Sequence, residues 1–237
     1  MKPGRKSTLV RAALVLGAAL LLAAGLAGYQ LAPLLLEPNA YADVASIERE
    51  SEYQNADLLR AAWSSPVAAR FASVPYEFQH NQSVCGPTSV ADVLHSLGEP
   101  LSQEQVLANS PYRTWFGYLL GGLTLDQEAE LMKSRTGRRV EILRDLTLDQ
   151  FRAQMREVND PTRRYVVNFH RGPLFGRGHG HFSPLVAYLP DRDLVLVGDV
   201  NAAYRPFLVP TDRLWQAADT VDSATGRKRG LIEVAAP

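Results

Sequence analysis

Residues 79–97 read QHNQSVCGPTSVADVLHSL and hold the only cysteine of the 237-residue chain, Cys85. After Gly86 and Pro87 the apolar residues Val90, Val93, Leu94 and Leu97 recur at the spacing of one helix face. Pro87 suits a first helical position, where no N–H is needed. Thr88 or Ser89 assists the start, and Gly98 stands just past the end. The pattern predicts a buried helix with Cys85 at its N-terminus. Unpaired backbone N–H groups and the positive end of the helix dipole favour a thiolate there. A lowered thiol pKa makes a nucleophile. A lone cysteine is equally a small apolar core residue, so its partners decide the matter.

A thiol nucleophile needs a base, and the base needs an orienting group. The chain has five histidines. His80 is too close to Cys85 in a loop, and His95 lies along the Cys85 helix away from its N-terminal end. His170 ends a strand and stays a candidate. Residues 176–184, GRGHGHFSP, place His181 after a glycine-rich approach, at the start of a strand. Asp199 closes the next strand, and a hairpin brings that end back beside His181. The order along the chain is Cys, His, Asp. His179 and His181 also form a His-x-His pair, but no third ligand stands nearby and no metal site is expected.

Around this centre the chain reads as helices first and strands afterwards. Residues 56–63 and 66–71 are short helices, and 74–78 an extended approach to the Cys85 helix. Ser102 and Gln105 form a capping box at another helix start. Thr124 and Thr147 open two more helices, through Ser134 and to about Val158. The aromatic-rich residues 111–122 are either a wall of the core or a loop over a pocket, and the core reading is taken. Strands are expected at 140–143, 165–169, 182–189 and 194–200, with shorter ones at 207–209 and 231–234. Residues 190–193, PDRD, have turn composition. The fold class is α+β, with a helical lobe and an antiparallel sheet lobe; a cleft between lobes is a natural site.

The 25 basic and 25 acidic residues balance, so nothing favours nucleic acid. One cysteine excludes an internal disulfide or a multi-thiolate metal site. Lys2, Arg5, Lys6 and Arg11 precede a nearly unbroken apolar run from Ala12 to Leu36. A basic start before an apolar run marks an export signal or a membrane anchor. Ala40-Tyr41-Ala42 offers a cleavage site; the length of the run favours a retained anchor. The domain reading is therefore 1–36 signal peptide or anchor, 37–50 linker, and 51–237 catalytic domain. The remainder lies on the periplasmic face of a bacterial inner membrane.

Residues 78–89 (FQHNQSVCGPTS), 178–188 (GHGHFSPLVAY), and 220–223 (TVDS) with Arg229-Gly230 resemble the phytochelatin synthase family. Residues 167–171 and 214–218 are similar to it as well. The likeness spans 74–234. It implies a papain-like cysteine peptidase fold and action on glutathione, as peptidase or transpeptidase. It implies a triad of Cys85, His181 and Asp199, with Gln79 and the Cys85 backbone N–H forming the oxyanion hole. It places Arg171 and Arg229 as substrate-binding cations, an arginine gripping a glutathione carboxylate bidentately. The sequence departs from the family at Pro87 and Thr88, where a small residue and alanine are frequent, and at His95, where asparagine is common. The cysteine-rich C-terminal region of plant members is not found, so metal sensing by it does not carry over. The short form resembles bacterial members, in which hydrolysis predominates.

The expected function is cleavage of the Cys–Gly bond of glutathione through a γ-glutamylcysteinyl thioester, passed to water or to a second glutathione. No cofactor is required; a heavy-metal ion such as cadmium enters as the thiolate complex of the substrate. The partners are glutathione and the inner membrane, and a homodimer is left open. The alternatives are a papain-like peptidase with another peptide substrate, or a non-catalytic membrane-tethered thiol or metal-binding module.

Overall fold

The structure is a computed structural model that describes residues 5–36 and 46–236. It comprises two compact units, Met1–Ala40 and Tyr41–Pro237. The first is one helix, α1 (Arg5–Leu36), whose described side chains, Leu14, Leu20, Leu21 and Tyr29 among them, are exposed. Among the described residues no helix is long and apolar enough to cross a membrane. Most of the expected linker, 37–45, lies outside the described residues. The rest of it forms a single 3-10 turn, Ile47–Arg49, and Ile47 is wholly buried in the core of the second unit. Ordered packing therefore begins before Ser51.

The second unit is built on a six-stranded antiparallel sheet. Its strands are β1 (Arg139–Leu143), β2 (Arg163–His170), β3 (Gly180–Leu189), β4 (Leu194–Val197), β5 (Phe207–Pro210) and β6 (Gly230–Ala235). Their order across the sheet is β1-β6-β2-β3-β4-β5. Alternation decides which side chains go where. Along β2, Val166 faces one core while Tyr165, Val167 and Phe169 face the other. The bulge between Leu185 and Ala187 puts two successive residues, Val186 and Ala187, on the same face.

One face is covered by α2 (Ala56–Trp63), α3 (Pro66–Ala72), α4 (Cys85–Ser96), α5 (Gln103–Leu107) and α6 (Leu125–Lys133). The other is covered by α7 (Leu148–Glu157), α8 (Arg171–Phe175) and α9 (Thr211–Ala218). The class is α+β, as expected, but helices cover both faces of the sheet rather than forming one lobe beside it. Sequence reading lacked α8 and α9 and placed the other main elements within a few residues. The three capping boxes form at Ser102–Gln105, Thr124–Gln127 and Thr147–Gln150.

Residues 111–122 do not wall the core. Trp115 and Tyr118 pair across a tight turn whose central residues, Phe116 and Gly117, both have positive φ (48° and 81°). That is the turn geometry of a two-residue hairpin. Its tip lies in solvent, with Trp115 56% and Phe116 85% exposed. Only Leu119 of the stretch is buried among the large apolar side chains, held by its N–H donating to Ser83 Oγ at 2.8 Å.

Candidate active site

Cys85 is the first residue of α4 and is 8% exposed. The residue before it, Val84, supplies no side-chain cap. Thr88 and Ser89 do not cap the helix either: their hydroxyls donate back to the carbonyls of Val84 (2.7 Å) and Cys85 (2.8 Å). Pro87 falls at the third helical position rather than the first. The loop in front is fixed from two directions. Asn81 Nδ2 donates to Gly117 O at 2.9 Å, and Gln79 N donates to Val200 O at 2.8 Å. The second bond ties the approach to Cys85 to the residue after Asp199.

The β3–β4 hairpin performs as its sequence suggests. Gly198 N donates to Pro184 O at 2.9 Å, which folds the chain beyond β4 back along β3. Asp199 lies two residues past β4 rather than within it. There His181 Nε2 is 3.0 Å from Asp199 Oδ1, with both residues buried. Gly198 has no alternative: a Cβ there would meet Tyr76 Oη at 2.6 Å and Val186 Cγ2 at 2.8 Å. The Tyr76 hydroxyl donates to the Gly198 carbonyl.

Asp199 is fully buried, which works against its charge, yet its carboxyl is held below the ordinary value of 3.8. Arg171 is the main cause, followed by His181. Arg171 Nη2 donates to both carboxylate oxygens, at 3.0 and 2.8 Å. The Asn201 N–H adds a bond of 2.8 Å to Oδ1. The guanidinium lies 3.9 Å from the Tyr204 ring centroid and is 2% exposed. Arg171 thus sits beneath the site and grips the aspartate. Where a substrate carboxylate was expected, Arg171 Nη2 meets a carboxylate of the protein. Burial, reinforced by the Arg171 charge, pushes the His181 imidazole down against the pull of Asp199. His181 meets the Phe169 ring edge-on at 5.5 Å.

The thiol of Cys85 lies against the backbone N–H of Phe182, the residue after His181. This brings helix and strand together at the nucleophile. The expected thiolate does not follow. Burial pushes the thiol up to about 12, and Glu128 adds to this, against the Phe182 and Gly86 N–H groups and the Arg171 charge. Desolvation outweighs what the helix N-terminus offers.

Arg229 is 7% exposed and lies over Gly180, where a Cβ would come within 2.9 Å of its Nη2. Its Nη1 donates to Thr220 Oγ1 (3.1 Å) and Val221 O (2.7 Å), while Nε is buried without a partner among the described residues. Gln79 Oε1 is likewise buried and unpartnered. Both are polar atoms with bonding capacity left over. Sequence reasoning missed Glu128, which is wholly buried on α6 with neither oxygen partnered among the described residues. Its signal was the helical phase: with Leu125, Ala129 and Met132 it occupies the inward face. A cleft of about 550 Å³ opens beside the preceding loop, lined by His80, Asn81, Val84, Leu107, Tyr112 and Arg113. It comes only as near as Val84; neither Cys85 nor His181 lines it. Among the described residues no group of three His, Cys, Asp or Glu side chains is placed to hold a metal ion.

A family model described as phytochelatin synthase matches residues 44–231, the whole of this arrangement. The chain belongs to the phytochelatin synthase family. Relatives agree with the match. Glutathione gamma-glutamylcysteinyltransferase 2 of Arabidopsis thaliana is 30% identical over 179 residues, covering 68% of this chain and 38% of the relative. Glutathione gamma-glutamylcysteinyltransferase 3 of Lotus japonicus is 31% identical over 173 residues, covering 66% and 35%. This phytochelatin synthase-family chain therefore spans little more than a third of the length of those relatives. Among solved structures, the peptidase domain of Streptococcus ComA superposes with a TM-score of 0.47 at 19% identity, covering 69% of this chain and 99% of that one. A putative C39-like peptidase from Bacillus anthracis does so at 0.48 and 14%, covering 70% and 96%. Membership of the phytochelatin synthase family rests on the sequence match, to which these likenesses add nothing.

Proposed function

We propose that the protein cleaves the Cys–Gly amide of glutathione with Cys85 as nucleophile. The observation that carries this reading is the buried Cys85 thiol held against the Phe182 N–H, next to the His181–Asp199 pair, in a chain of the phytochelatin synthase family. Burial works against charge on both the thiol and the imidazole, which favours a mechanism in which the proton moves during attack. Cys85 Sγ bonds to the carbonyl carbon as His181 accepts the thiol proton. The C–N bond then breaks and His181 returns that proton to the departing glycine amine. The γ-glutamylcysteinyl thioester that remains is taken by water, giving γ-glutamylcysteine, or by the amine of a second glutathione, giving a short phytochelatin. Asp199 fixes the imidazole and offsets its transient charge.

Gln79 and the Cys85 N–H stabilise the tetrahedral oxyanion, a role supported by the placement of Gln79 in the loop before the nucleophile. Arg229 Nε, with no partner among the described residues, takes a carboxylate of glutathione. The reaction so written needs no cofactor, and a metal such as cadmium arrives as the thiolate complex of the substrate. The basic residues ahead of the apolar run 12–36 support export, with the catalytic unit on the outer side of the inner membrane. The test is incubation of the full chain with glutathione, with and without cadmium, reading products by mass spectrometry. Glycine release that Cys85→Ala abolishes is expected. Release that survives Cys85→Ala, or none under reducing conditions, overturns the reading.

A further inference from the structure

The mechanism leaves Glu128 without a part. Its helix is fixed by the Thr124–Gln127 capping box and by the buried Leu125, Ala129 and Met132, so the carboxyl is held inside. Oε2 stands 2.1 Å from the point where a Cβ on Gly86 would lie, the residue next to the nucleophile. No described group bonds either oxygen. A buried acid in apolar surroundings keeps a proton unless something compensates its charge.

The other charged groups around Cys85 are engaged elsewhere. Arg171 acts on it from beneath but is bound to Asp199, with which His181 is also paired. On α4 itself, Asp92 accepts the Glu77 N–H at 2.8 Å. Beside α5, Glu104 pairs with His80 at 2.9 Å. From β2, Arg164 sits on Ser96 at the far end of α4. From the loop side, Tyr112 feels Glu128 but lies farther out in the cleft lining.

We propose that Glu128 governs the reactivity of Cys85: with a proton on its carboxyl the thiol can pass its own proton to His181, and once that carboxyl ionises the thiolate no longer forms. Two unscreened negative charges on either side of Gly86 oppose each other strongly in so dry a place. Burial keeps the Glu128 proton in place well beyond the ordinary carboxylate range, so the site closes only as pH rises through that raised value. Glu128 does not touch the reacting carbonyl; it is a positioning residue that acts through the field at the sulfur.

The inference rests on Cys85 as nucleophile but not on glutathione as substrate, and its test needs no substrate. The rate of iodoacetamide alkylation of Cys85 in the full chain is followed against pH for the wild type and Glu128→Gln. Below its pKa a thiol gains tenfold in rate per pH unit. In the wild type the rise is expected to level off on the alkaline side as Glu128 ionises. In Glu128→Gln it continues, to exceed the wild type by at least about tenfold. Superimposable profiles overturn the proposal. Glu128→Met, neutral and of similar length, is expected to follow Glu128→Gln, and serves if the amide does not fold. If neither folds, a wild-type profile rising tenfold per unit without levelling overturns it. With glutathione, Glu128→Gln is expected to keep its kcat/KM at alkaline pH where the wild type loses it. Divergent alkylation profiles without glycine release remove only the substrate reading; glycine release with superimposable profiles removes only the role of Glu128.

Discussion

Arg171 shows how one side chain organises the buried His181–Asp199 pair. Its guanidinium is buried, spans both oxygens of Asp199 and lies on the Tyr204 ring. Replacement by methionine leaves Asp199 in the dark with His181 and one N–H for company. Breaking one side of a buried ion pair typically costs about 3–5 kcal/mol, and Arg171→Met is expected to lose that much in urea unfolding at neutral pH. The sign with pH follows from the depressed Asp199 carboxyl: its stabilising contribution is complete above 3.8 and disappears as pH falls through the folded-state value. In Arg171→Met that value rises, so acid unfolding is expected to set in at higher pH. An unchanged acid limb counts against the pairing.

At this scale the place of Cys85 at a helix start and the approach of Asp199 to His181 were legible, because a helix start, a strand start and a turn are local features. What each feels was not. The thiol pKa was read from its place at a helix end, a local property, whereas burial and Glu128 come from elements distant in sequence. The acid that Arg171 meets is likewise chosen only when β3 and β4 fold together.

The contact between α4 and α6 depends on a missing side chain. Gly86 leaves the space that the Glu128 carboxyl fills. Gly86→Ala is expected to destabilise by about 1–3 kcal/mol, the usual range for forcing extra atoms into a packed interior. Glu128→Ala vacates that space, so the double variant Gly86→Ala/Glu128→Ala is expected to be more stable than the sum of the single effects allows. Strict additivity in a double-mutant cycle by urea unfolding would falsify the contact.

Elements with their own end signals were legible: three capping boxes announced α5, α6 and α7. The helix α9 has no side-chain cap at Pro210; α8 is only five residues long, and its cap is the His170 ring, whose Nδ1 accepts the Gly172 N–H at 3.0 Å, a residue not among the usual cap signals. The aromatic residues near 115 carried the opposite difficulty. Their composition suits a core, but the paired positive-φ residues Phe116 and Gly117 turn the segment outward, and local geometry prevails over hydrophobicity. Glu128 was passed over for a related reason, since a charged residue on a helix is ordinarily solvated.

For the molecule as a whole, the chain divides into two compact units, Met1–Ala40 and Tyr41–Pro237. If the basic-then-apolar leader is retained as proposed, the full chain is expected to sediment with membranes and stay there through alkaline carbonate washing. Recovery of the chain in the soluble fraction, shortened by the mass of the leader, would show cleavage instead. The α+β class was legible from helices preceding strands, but the order across the sheet was not, because strand neighbours far apart in sequence leave no local trace.

That order has a consequence for the life of the nascent chain. The strand β6, last in sequence, lies between β1 and β2, with Ile232 and Val234 in one core and Leu231 in the other. Until residues 230–235 have left the ribosome, β1 has no neighbour, β2 has one bare edge, and both layers of helices rest on an incomplete platform. Such long-range pairing forms late and slowly. The Cys85 thiol, made in the first half of synthesis, therefore spends that interval before the fold around it is complete. If the chain is exported, as proposed, it gains from the delay, because it stays threadable until β6 has passed.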